Sequence, residues 1–170
     1  PYPVDVPAFP PSKAKVVLEG AGRAEKEATR SAVRSVLGPG TTPERFASLV
    51  GAPDDARIVV AKAAKGASMV RYRVEHPALE RFHGTFERFQ GEVVHHVDRL
   101  DVKPGDRGKG RAARIHGRQV FWGVVHGLAT LTLKADASEG RSGYVVWPGF
   151  GYDGVIPAKY RELISVAVAL

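Results

Sequence analysis

Hydrophobic positions follow two periods along the chain, and the switch between them marks out its elements. From Arg23 to Leu37, Ala24, Ala28, Ala32, Val33, Val36 and Leu37 recur at helical spacing, and Gly38-Pro39-Gly40 stops the run. Thr42-Pro43-Glu44 predicts a second short helix ending near Gly51, because Thr can cap and Pro is tolerated at the first helical position. The period then falls to two. Residues 56–63 are rich in β-branched side chains. Residues 69–76 alternate Met69, Arg71, Arg73 and Glu75 against Val70, Tyr72, Val74 and His76, the mark of a half-buried antiparallel strand. Leu79–Phe89 reads as a strand with a helix as its competitor, since Gln90-Gly91 resembles a hairpin turn into Glu92–Val102. A long helix is predicted over 107–128, with an apolar stripe of Ala112, Ala113, Val120, Phe121, Val124, Val125 and Leu128 facing the core. Strands are predicted at 14–20 and 130–137.

This order predicts a mixed α/β (α+β) sheet, mostly antiparallel, with a parallel crossover around the long helix. Five prolines by Pro11 predict that residues 1–13 are an extended leader and not a packed element. Residues 14–170 then form a single domain. The first residue is Pro1, so an excised domain or processed product is expected.

Composition narrows the chemistry. Hydrophobic residues make up 44% of 170, enough for a core. The absence of cysteine removes disulfides, thiolate metal sites and a cysteine nucleophile. No HExxH or HxxxH occurs, so no metal site is expected. No run has the length of a membrane span and no signal-peptide pattern opens the chain, so a cytoplasmic protein with no membrane partner is expected. The net charge of +7 favours an anionic partner: a phosphorylated cofactor, nucleic acid or an acidic surface.

The stretch from Leu100 to Leu128 carries the most chemistry. A strand runs into Arg107, Gly108, Lys109, Gly110 and Arg111 and then into the long helix. The first amides of a helix have no internal partner and sit at the positive end of its dipole, so a phosphate there satisfies both. Glycines let the backbone approach, and three cations add charge. Asp106 can cap the helix or soften that charge. A P-loop would need GxxxxGK[ST], which is absent. A Rossmann glycine motif belongs near the first strand of a parallel unit, not after an antiparallel meander. A solvated turn is the alternative for such a loop by itself.

The run Arg107-Gly108-Lys109-Gly110-Arg111-Ala112 resembles R/Q-x-x-G-x-G/A, the acyl-CoA pyrophosphate signature of the GNAT N-acetyltransferase superfamily. Leu100-Asp101-Val102 is similar to the end of that family's fourth strand, and Trp147–Tyr152 resembles its aromatic-glycine turn. The resemblance implies a GNAT-like sheet with helices on both faces and acetyl-CoA (coenzyme A) as cosubstrate, without a metal. It implies that Gly108, Gly110, Arg111 and Ala112 hold the pyrophosphate by their amides, with Arg107 and Lys109 adding charge. The Leu100 amide would polarise the thioester carbonyl, and Val102 would pair with the pantetheine arm.

Acetyl transfer needs a neutral amine and a proton for the leaving thiolate, work suited to histidine. The family's bases stand six and four residues before the valine matching Val102, which are His96 and Asp98 here. Alternation sets His96, Asp98, Leu100 and Val102 on one face, with His95 pointing away. Trp147 occupies the family's usual tyrosine position and cannot donate a proton, so Tyr144, one helical turn earlier, is the candidate acid. The expected activity is direct acetyl transfer to an amine of a protein, a small molecule or an aminoacyl-tRNA, in the setting of a toxin or effector domain among others. Its rivals are a catalytically inactive GNAT-like domain and a basic nucleic-acid-binding module using Arg71, Arg73, Arg81, Arg88 and the loop cations. The acceptor and the oligomeric state are not readable from the sequence.

Overall fold

The computed structural model describes residues 9–63 and 68–133. Up to Thr132 these belong to one compact unit. Six strands and three helices follow the order β1 (Lys15–Leu18), α1 (Arg23–Leu37), α2 (Pro43–Val50), β2 (Arg57–Lys62), β3 (Met69–Glu75), β4 (Leu79–Phe89), β5 (Glu92–Val102), α3 (Arg111–Val125) and β6 (Thr130–Leu133). They build one mixed α/β sheet in sequential order, β1 to β6. No helix among the described residues is long and apolar enough to cross a membrane.

The local signals act as their chemistry requires. The Thr42 side chain accepts from the Arg45 amide, with Pro43 opening α2. Gln90 and Gly91 both take positive φ, 50° and 86°, which suits the tight turn that folds β4 back onto β5. β4 is therefore a strand along its full length, and β2, β3, β4 and β5 form an antiparallel meander.

Both edges of the sheet are parallel. β1 pairs with β2 in parallel, with α1 and α2 as the crossover. This second parallel connection was not expected, because a four-residue strand carries too little pattern to show its direction. At the other edge the Ala129 amide donates to the Val93 carbonyl at 3.0 Å, and Thr132 lies beside His96. Residue numbers rise together along β5 and β6, as a crossover through α3 demands.

The core lies beneath α1 and α2. Val36, Phe46, Leu49, Ile58, Val60, Val70, Phe82 and Phe86 are all buried. Phe46 meets Phe86 edge-on at 5.4 Å, and Tyr72 meets Phe82 at 5.8 Å. Each such side chain contributes about 1.5–3 kcal/mol through removal from water. Gly84 sits where β4 has no room for a side chain: a Cβ there would lie 2.2 Å from the His96 carbonyl oxygen and 2.5 Å from Tyr72 Oη. Gly84→Ala should therefore destabilise the fold by about 3 kcal/mol, read as a lower denaturation midpoint in urea. An unchanged midpoint would mean that the β4–β5 pair can open without cost.

Two expectations need correction. The end of the leader is packed, not free. Ser12 is buried, its amide donating to Ser48 Oγ at 2.9 Å and its hydroxyl to the Ala52 carbonyl at 2.8 Å. Phe9 lies over Gly117 and 6.3 Å from Phe121. Apolar and small residues between the prolines find a groove along α2 and α3, which a count of prolines does not reveal.

The second correction concerns α3, which starts at Arg111 and buries Ile115, His116, Gln119 and Gly123. Val124 and Val125 of the expected stripe are 72% and 52% exposed. The helix is rotated because it caps the C-terminal end of α2. Gln119 Nε2 donates to the Val50 carbonyl at 2.9 Å, and Arg118 donates to the Ala52 carbonyl at 2.8 Å. Those carbonyls require donors, so polar side chains outrank the valines for the packed face.

Candidate active site

β5 organises the candidate residues, and an irregularity in it decides which way they face. Its register with β4 runs from Phe86↔His95, Thr85↔His96 and Gly84↔Val97 to His83↔Arg99 and Phe82↔Leu100. Asp98 is therefore an extra residue, a β-bulge that reverses the alternation. His96 shares a face with Thr85 and Glu87, whereas Leu100 shares one with Phe82. The expected single face of His96, Asp98, Leu100 and Val102 is thus not formed. Period-two parity carries no information about an inserted residue.

His96 and Asp98 take different partners. His96 Nδ1 lies 2.6 Å from Thr132 Oγ1 on β6, and its Nε2 lies 3.5 Å from the Glu87 carboxylate on β4. Asp98 lies 4.0 Å from His83 Nδ1 and is about half exposed. His95 points away from this group and into the core. Its Nε2 is 2.7 Å from Tyr72 Oη, and its ring stacks on Phe86 at 4.2 Å. Burial, with the neighbouring His96 as a lesser cause, pushes its pKa down to about 3. His95 is a neutral core residue at physiological pH.

Beyond Val102 the chain enters a short 3₁₀ turn, Pro104–Asp106, and then the glycine-rich loop. Gly108 and Gly110 have φ of 74° and 69°, the left-handed region open to glycine. Gly110 is the N-cap of α3, and no side chain caps that end. Dipole and amides are thus available to an external anion. A Cβ at either glycine would meet nothing within 4 Å, so space is left on the loop's outer side.

Asp106 softens the charge, the second of the two roles expected for it. Its carboxylate accepts from Lys109 Nζ at 3.3 Å and Arg111 Nε at 3.1 Å. Lys109, and then Arg111, hold its carboxyl below the usual carboxylate range. A phosphate arriving here would compete with Asp106 for both cations. Arg107 turns back, its Nε donating to the Val102 carbonyl at 3.1 Å. A pantetheine amide reaching Val102 would use the second lone pair of that oxygen or displace the guanidinium.

Tyr144, Trp147 and the aromatic-glycine turn lie outside the described residues. Glu87 and Thr132 were not anticipated. They come from β4 and β6, and cross-strand neighbours are invisible to a reading along one strand. Two cations of the expected nucleic-acid surface are already paired. Arg73 pairs with Glu19 and Glu75, at 3.3 and 3.2 Å. Arg88 donates to the Ser35, Val36 and Gly91 carbonyls, closing the C-terminus of α1. Tyr72 is 3% exposed and offers no stacking platform.

No family model matches the chain, and no curated relative matches it. Solved structures give distant likenesses. An aminoglycoside acetyltransferase from an uncultured soil metagenomic sample aligns at TM-score 0.42 and 9% identity, over 79% of this chain and 87% of that one. Glucosamine-6-phosphate N-acetyltransferase from Arabidopsis thaliana aligns at TM-score 0.40 and 14% identity, over 77% and 88%. A transcriptional regulator from Bacillus halodurans C-125 aligns at TM-score 0.42 and 12% identity, with 55% of this chain covering 65% of that one. TM-scores of this size do not establish a common fold, so the site rests on the residues of this chain.

Proposed function

We propose that this chain is an acyl-CoA-dependent N-acyltransferase of the GNAT type, passing an acetyl group from acetyl-CoA directly to an amine. The observation that carries the reading is the start of α3. An N-terminus without a side-chain cap follows two left-handed glycines, amid three cations, at the end of the strand that bears His96. The amides from Gly108 to Ala112 would receive the pyrophosphate, with Lys109 and Arg111 released from Asp106 as it binds. Leu100 would polarise the thioester carbonyl, and Val102 would hold the pantetheine arm. Coenzyme A supplies the thioester; the chain supplies the seat, the oxyanion donor and the base.

His96 is the base in this reading, its ring held by groups on both neighbouring strands. Asp98, half exposed at the bulge, is placed to attract a cationic acceptor. Tyr144 is proposed as the acid for the thiolate. The acceptor is an amine on a protein, a small molecule or an aminoacyl-tRNA.

The test is thiol release from acetyl-CoA with a lysine-bearing peptide, spermidine, an aminoglycoside and an aminoacyl-tRNA. Release that needs both acetyl-CoA and an amine is expected, and none with any of the four would contradict the enzymatic reading. His96→Ala should lower the rate about 10²-fold, the usual worth of a positioned base. Unchanged rates in His96→Ala and Tyr144→Phe would reject the acid and base assignment.

A further inference from the structure

His96 is not a free base. Nδ1 is hydrogen-bonded and Nε2 faces a carboxylate, and the nature of the two neighbours favours one position for the proton. The Glu87 carboxylate can only accept, so it favours the neutral ring with its hydrogen on Nε2, 3.5 Å from that carboxylate. In that tautomer Nδ1 holds the lone pair, and the Thr132 hydroxyl facing it at 2.6 Å is the donor. A base whose lone pair is already filled by a hydroxyl reaches a substrate through that hydroxyl. His96 and Glu87 are 35% and 30% exposed, so the group is neither sealed in the core nor freely hydrated.

We propose that Thr132 is the group that meets the acceptor amine, and that Glu87, His96 and Thr132 form one proton relay. The inference rests on the acyltransferase reading above. An ammonium acceptor gives a proton to Thr132 Oγ1 while Thr132 passes its own to His96 Nδ1. The imidazolium so formed is stabilised by the Glu87 carboxylate beside Nε2. The neutral amine attacks the thioester carbonyl carbon, the C–S bond breaks, and as the nitrogen sheds one proton the leaving thiolate gains one, so the amide and the thiol are both neutral. His96 then releases its proton to water. Thr132 is never acylated. Glu87 is a positioning residue that favours the Nε2–H tautomer and orients the ring, the role of the third member in other nucleophile–base–carboxylate groups.

Nitrogen-15 NMR of the histidine rings tests the relay without any acceptor. The wild type should show His96 as the Nε2–H tautomer. Thr132→Ser and Thr132→Val, which preserves the branched shape but not the hydroxyl, should both keep it, because the Glu87 carboxylate still faces Nε2, and Glu87→Ala should give a mixture. The same spectra report whether each variant is folded. In thiol release, Thr132→Ser should stay near the wild-type rate, and Thr132→Val should lose about 10²-fold in kcat with little change in KM for acetyl-CoA. A wild type that transfers acetyl groups with His96 as the Nδ1–H tautomer overturns the relay alone, as does full activity in Thr132→Val. An acetyl group found on Thr132 after incubation with acetyl-CoA by itself overturns it in favour of a covalent route. The Nε2–H tautomer in a protein that acetylates no amine overturns the acyltransferase reading, and the relay's role with it.

Discussion

Acidification below about pH 6.5 should destabilise the fold by on the order of 1.4 kcal/mol per pH unit through His95 alone. The ring is fully buried, stacked on Phe86 and bonded to Tyr72, and its Nδ1 has no hydrogen-bond partner among the described residues. Burial lowers its pKa from 6.5 to about 3. The unfolded chain therefore takes up a proton near pH 6.5 that the folded chain refuses until about pH 3. Stability is fully present above 6.5 and falls as the pH drops towards 3. His116 and His126, also lowered by burial, act in the same direction. The lowered carboxylates Glu75 and Asp106 add to the loss only at still lower pH, where carboxylates of the unfolded chain titrate. Urea denaturation at pH 7, 6 and 5 measures the slope. His95→Gln, which can still accept from Tyr72, should flatten it and leave the rest of the profile alone. Equal slopes in the two proteins would show that His95 is not the buried titrating group.

Gly110→Trp should abolish acetyl-CoA binding, with a loss of affinity on the order of 100-fold or more. The residue caps α3 with φ of 69°, and its outer side is open. An indole there would fill the space a pyrophosphate needs and turn the loop away from its left-handed geometry. Strain from a non-glycine residue in that region adds about 1–3 kcal/mol of instability. Gly110→Asn separates the two effects, because asparagine tolerates the left-handed region. It should fold near the wild-type midpoint and bind more weakly than wild type but better than the tryptophan variant. Retained affinity in Gly110→Trp, by calorimetric titration, would mean that the anion sits elsewhere.

Much of this architecture is legible along the chain because its signals are local. The Thr42-Pro43 cap, the Gln90-Gly91 turn and the alternation of Met69–Glu75 each act within a few residues and appear as expected. The glycine-rich loop is legible for the same reason, since backbone geometry at Gly108 and Gly110 is set by the residues themselves. What escapes is relational. The bulge at Asp98 belongs to the pairing of two strands, and it undoes the face assigned to Leu100 and Val102. The packed face of α3 is chosen by the carbonyls at the end of α2, which no helical stripe records. Glu87 and Thr132 reach His96 only after three strands are aligned. The docking of Phe9 and Ser12 likewise depends on a groove built from residues far along the chain.

The central claim is that the start of α3 seats an acyl-CoA, and thermal unfolding with acetyl-CoA tests it most directly. At a hundred times its dissociation constant a ligand stabilises the folded state by about 2.7 kcal/mol. For a chain of this size that is a rise in Tm of about 5 °C or more. The account predicts such a rise with acetyl-CoA, and none with it in Gly110→Trp. No shift of the wild-type protein at saturating acetyl-CoA would contradict it.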